Sequence, residues 1–128
     1  MTPGKLLVTL LLAGACAVPP AFAGAGHDHG PKHGGVVREK SAISYELVAK
    51  ADLLTLHVSD HGKPIDTAGA KAEVTLYAGS ERTTVALQPA GDNRLSAQGS
   101  FRVGVGVRAA VTVTLAGKQE AKLSYNLK

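Results

Sequence analysis

The chain has 128 residues, a formal charge of +4 spread along its length, two phenylalanines, no tryptophan and a single cysteine. So mild a balance, with no block of Lys or Arg and no aromatic stacking platform, excludes nucleic-acid binding as a function class. One cysteine excludes a disulfide framework.

In chain order, the first feature is a leader. Lys5 gives a positive start, residues 6–12 form an apolar run, and Pro19-Pro20 breaks it ahead of Ala21-Phe22-Ala23, an A-x-A cleavage site. This predicts a signal peptide over 1–23, export to a bacterial periplasm, and no membrane insertion after cleavage. The apolar stretch over 6–18 is too short, and too soon broken by proline, to cross ~30 Å of hydrocarbon. Cys16, following Ala13-Gly14-Ala15, leaves open a lipoprotein, although Ala13 stands where a processing box carries leucine. Cleavage after Ala23 leaves 105 residues, enough for one domain, with a formal charge of +3 once Lys5 is lost. It also removes Cys16 and Met1, so the mature chain contains no sulfur.

Residues 24–35, Gly-Ala-Gly-His-Asp-His-Gly-Pro-Lys-His-Gly-Gly, hold no hydrophobic side chain larger than alanine. Such a segment cannot offset the entropy of ordering by burial and is expected to be a mobile tail. It carries His27, His29 and His33 within seven residues, joined by Asp28 and surrounded by glycine. Imidazole is the commonest ligand for borderline metal ions, and flexible glycines let three rings converge on one of them. Without thiolate or thioether donors Cu(I) is disfavoured, which leaves Cu(II), Zn(II) and Ni(II), with Cu(II) or Zn(II) foremost. The ordering cost points to moderate affinity, suited to buffering or hand-over. Cleavage after Ala23 places His27 fourth, one residue too far for X-X-His chelation through the N-terminal amine. The plainer alternative is a solvated polar spacer.

From Val36 to the end, 36–128, short runs alternate apolar and polar residues between turn formers, the pattern of half-buried strands. Ile43, Tyr45, Leu47 and Ala49 share one face, then Leu54, Leu56 and Val58 oppose Thr55, His57 and Ser59. Asp60-His61-Gly62-Lys63-Pro64 is a turn. Ala72, Val74, Leu76 and Ala78 alternate up to Gly79-Ser80, and Thr83, Val85 and Leu87 follow, so the two runs read as a hairpin. A turn over residues 89–93 precedes a short strand centred on Leu95 and Ala97. The longest alternation places Phe101, Val103, Val105, Val107, Ala109, Val111, Val113 and Leu115 on one side, interrupted by Gly104 and Gly106 as at a bulge or bend. After Ala116-Gly117-Lys118 a last strand turns Ala121, Leu123, Tyr125 and Leu127 inward. With no 3.6-residue periodicity outside the leader, the domain is expected to be all-β: an antiparallel immunoglobulin-like β-sandwich of about seven or eight strands, with a small closed barrel as the alternative.

His57, on the polar face of its strand, and His61, in the turn, form a second candidate metal pair with Asp60 between them, able to meet each other or the tail. Taken alone, each also reads as a surface histidine. No nucleophile stands beside a base, no carboxylates are paired, and Gly104-Val105-Gly106 lacks a following helix to bind phosphate, so the chain is read as a non-enzyme.

The run Leu54-Thr55-Leu56-His57-Val58-Ser59-Asp60-His61-Gly62-Lys63-Pro64-Ile65, followed by Ala68 and a strand over 71–76, resembles the strand, D-x-G-K-P, strand core of YtkA-like and related immunoglobulin-like periplasmic domains. Residues 27–35, leading into Val36-Val37, are similar to the His/Gly-rich N-terminal segments of periplasmic components of heavy-metal efflux and resistance systems. Together the two resemblances span residues 27–78. They imply a metal-handling accessory whose partner is a periplasmic or membrane efflux component. The chain lacks the helical hairpin of efflux adaptors and the methionines of Cu(I) chaperones. A rival reading is a periplasmic interaction module for which the tail is only a tether.

Overall fold

The computed structural model describes residues 30–128; the expected leader, with His27, Asp28 and His29, lies outside the described residues. Nine strands follow one another: β1 (Val36–Lys40), β2 (Ile43–Ala49), β3 (Leu53–Asp60), β4 (Lys63–Pro64), β5 (Lys71–Ala78), β6 (Glu81–Pro89), β7 (Arg94–Gln98), β8 (Arg108–Thr114) and β9 (Ala121–Asn126). No helix occurs among the described residues.

All pairings are antiparallel, in the order β1-β2-β3-β7-β6-β5-β8-β9, with the short β4 paired to β3 beside this path. The alternation read in the sequence becomes an interior in which Leu54, Leu56, Val58, Val74, Leu95, Ala109 and Tyr125 are fully enclosed. Each such aliphatic side chain contributes about 1.5–3 kcal/mol by leaving water.

The sheet curls until it is nearly a barrel. β1 and β9, the ends of the hydrogen-bonded order, are bridged by side chains: Arg38 Nε donates to the Ser124 carbonyl at 2.9 Å and Lys40 Nζ to that of Lys122 at 3.5 Å. Beneath this seam the buried Tyr125 hydroxyl donates to the Tyr45 carbonyl at 3.0 Å. On the other side, β6 pairs with β5 from Glu81 to Leu87 but meets β7 only at Gln88 and Pro89. The first half of β6 is therefore an edge, and Thr83, expected inward, is exposed.

A second departure lies before β8. The alternation from Phe101 to Val107 does not extend the strand, because Gly104 and Gly106 take positive φ values of 123° and 92° and the Val107 amide closes a turn onto the Gly104 carbonyl at 3.1 Å. Val105 is consequently 90% exposed.

Candidate metal site on the outer face

One rung of the sheet carries the chemistry. Glu46 of β2 stands opposite Val37 of β1 and His57 of β3, and His57 stands opposite Arg94 of β7, so these four occupy one row across neighbouring strands. Their side chains alternate with Tyr45, Leu47, Leu56 and Val58, which face the core, and so they project from the outer face.

That face is covered. Glu46 is only 5% exposed because the segment before β1 crosses it and donates to its carboxylate from every side. Oε1 accepts from the Lys32 amide at 3.0 Å and from the His33 ring Nδ1 at 3.0 Å; Oε2 accepts from the His33 and Gly35 amides, both at 2.8 Å. Gly35 makes the crossing possible: a Cβ there would lie 2.3 Å from the Leu47 carbonyl oxygen. Gly34, at φ 82°, supplies the bend.

Burial alone would raise the Glu46 carboxyl, but hydrogen bonds from the His33 ring and from the amides of Gly35, Lys32 and His33 outweigh it and bring the pKa down to about 2. An ionised carboxylate only accepts, so His33 Nδ1 is the nitrogen that carries the proton. In neutral His33 the free lone pair is then on Nε2, the arrangement in which a carboxylate orients a metal-binding imidazole.

The His33 ring lies flat on the His57 ring, with centroids 3.7 Å apart and planes 1° from parallel. Burial, with the nearby His33 and Arg94 charges, pulls the His57 pKa below the usual histidine range, against the opposing pull of Glu46. Arg94 turns its guanidinium to the Ala90 carbonyl at 2.8 Å. His57 Nδ1 is buried without a hydrogen-bond partner. Ring lone pairs lie in the ring plane, and metal–nitrogen bonds are ~2.0–2.1 Å long. Two stacked parallel rings therefore cannot aim at one ion, and His33 and His57 can share an ion only when one ring turns.

His61 sits at the tip of the two-residue turn joining β3 to β4, where Asp60 pairs with Lys63 and both central residues have positive φ (His61 52°, Gly62 83°). Its Nδ1 contacts the Asp60 carboxylate, and its side chain is 75% exposed. The covering segment passes this turn: Lys32 Nζ is 4.0 Å from where a Gly62 Cβ would stand. Of the six sequence-predicted ligands, the structure thus brings His33 and His57 into contact and leaves His61 on the adjoining turn. His27, Asp28 and His29 lie outside the described residues. Among the described residues, no three His, Cys, Asp or Glu side chains converge on a point that would hold an ion.

Glu46 was not singled out by sequence reasoning. In the alternation it is one more outward polar residue beside Ser44 and Lys50, and its only signal is cross-strand register with His57, which needs the fold.

No family model matches the chain, and no curated protein or solved structure matches it.

Proposed function

We propose that this chain is an exported periplasmic protein that binds a divalent transition metal, Cu(II) or Zn(II) foremost and Ni(II) as a third candidate, and serves as a buffer or hand-over accessory in metal resistance or efflux. The ligand set is drawn from His27, Asp28, His29, His33, His57 and His61. The observation that supports this reading is the His33 ring, tied through Nδ1 to an ionised carboxylate so that Nε2 is the nitrogen open to an ion.

Chain length supports a shared site. His29 precedes Lys32 by only three residues in the sequence. Lys32 itself reaches the turn that bears His61. His33 thus follows the remaining tail ligands closely in the sequence and stacks on His57 in the fold. We propose likewise that the domain is of the YtkA-like, immunoglobulin-like kind that its sequence resembles, taking the curled sheet as a sandwich whose halves join along β6. Catalysis forms no part of this proposal.

Calorimetric titration of the purified protein with Cu(II), Zn(II) and Ni(II), beside a variant with His27, His29 and His33 changed to alanine, tests the reading. Micromolar or tighter binding, lost in the variant, is the expected result. Equal and weak binding by both would overturn it and leave a tethered interaction module.

A further inference from the structure

We infer that Glu46 is the positioning residue of this site: its carboxylate fixes His33 as the Nδ1–H tautomer, so that a divalent cation is taken at His33 Nε2 and at no other atom of that ring. The inference rests on the metal-binding reading and names which atom binds and what sets it.

Glu46 receives three backbone amides and one ring N–H, and all four are donors. A carboxylate with two oxygens accepts them all without conflict. The amides hold the carboxylate in place, and the carboxylate in turn holds the ring. Neither step needs the metal, so the tautomer is set beforehand and an arriving ion meets an unprotonated Nε2 on a ring whose side chain is 46% exposed. His57, stacked against the other ring, restricts rotation of His33 about its side-chain bonds. Lys32 contributes its amide to the anchor while its ammonium lies toward Gly62, away from competition for the carboxylate's role.

Glu46→Gln separates this role from simple anchoring. The amide oxygen of glutamine keeps the His33 and Gly35 amides, which hold the path of the segment, when it takes the Oε2 position. The amide nitrogen then occupies the Oε1 position, where it leaves the Lys32 amide without its acceptor and donates to His33 Nδ1, which forces the ring proton to Nε2 and blocks the ligating lone pair. A residue that merely held the segment would leave the tautomer unchanged in this variant.

The test is nitrogen-15 NMR of the imidazoles in the metal-free protein, wild type and Glu46→Gln, at a pH where His33 is neutral, followed by titration of both with Zn(II). The wild type is expected to show His33 protonated at Nδ1, the variant to show it protonated at Nε2, and Zn(II) affinity to fall about 10–100-fold in the variant. Dominant Nε2–H in the wild type overturns the inference whether or not the variant folds. An unchanged Zn(II) affinity in a folded variant also overturns it. Failure of the wild type to bind Zn(II), Cu(II) and Ni(II) alike, with His33 at Nδ1–H, would instead remove the metal-binding reading and with it the assignment of Nε2 as a ligand.

Discussion

Two rungs on the outer face of the sheet begin from the same sequence signal and end differently. On the β5–β6–β8 side, Thr75 pairs with Thr84 and Ala110, and the two threonine hydroxyls meet at 3.2 Å in the open. On the β2–β3 side, Glu46 pairs with His57, and a glycine-rich segment lies across them. The exposed rung keeps ordinary solvated side chains. The covered one gathers a carboxylate held at about 2, a histidine held below its usual range and a stacked ring pair. Polar residues on a strand's outer face acquire unusual chemistry only when something covers them, and here the cover is the segment that also brings a third titratable group.

The largest expected difference between the rungs is in stability. Glu46→Ala leaves three amides and a ring N–H without their acceptor, and should cost about 2–3 kcal/mol in urea unfolding, as loss of hydrogen bonds to a buried charged group does. Thr75→Ala should change stability by no more than about 0.5 kcal/mol. Equal losses at the two positions would erase the distinction between them.

The pH dependence of unfolding should sharpen the same contrast. A carboxyl whose folded pKa is depressed adds stability that is present above its unfolded value and lost as pH falls through its folded value. Glu46 should therefore contribute an order of 3 kcal/mol that disappears between pH about 4.5 and about 2. His57, also depressed, favours its neutral form in the folded state, so its contribution is complete above pH about 6.5 and declines as the pH falls below that. Urea midpoints of the wild type and of Glu46→Gln, measured from pH 8 to pH 2, check both, and the acid loss should be smaller in the variant.

Removing the cover without touching the rung should come next in size. Gly35→Ala drives a methyl into the Leu47 carbonyl and should cost about 1–3 kcal/mol, with faster hydrogen exchange at the amides of Lys32, His33 and Gly35. Away from both rungs, a gain is expected. The β1–β2 turn places Ser41 and Ala42 at φ 54° and 68°, the geometry that His61-Gly62 meets with a glycine. Ala42→Gly should stabilise the protein by about 1 kcal/mol, read from thermal or urea unfolding.

Much of the fold was legible. The alternation over residues 43–49, 53–60, 71–78 and 121–126 placed Tyr45, Leu56, Val74 and Tyr125 inward because a half-buried strand writes a period of two directly into the sequence. The same period misled at Val105, where the bend expected at Gly104 and Gly106 closes a turn that points it outward, while Phe101, Val103 and Val107 still pack against the core. It also misplaced Thr83, since an inward-facing position on an edge has little to face. How the sheet closes was not readable, because the side-chain bridges from Arg38 and Lys40 to β9 join residues more than eighty positions apart. At the candidate site His33 and His57 were legible as residue types. The carboxylate that holds the His33 ring was not, since burial of Glu46 depends on where a glycine-rich segment crosses.

The most direct test of the central claim is to follow the His33 imidazole nitrogens while Zn(II) is added to the purified protein. Binding through this site requires Nε2 to shift on coordination while Nδ1 keeps its proton and its hydrogen bond to Glu46. A His33 ring that stays unchanged as Zn(II) is raised to millimolar concentration would contradict the claim.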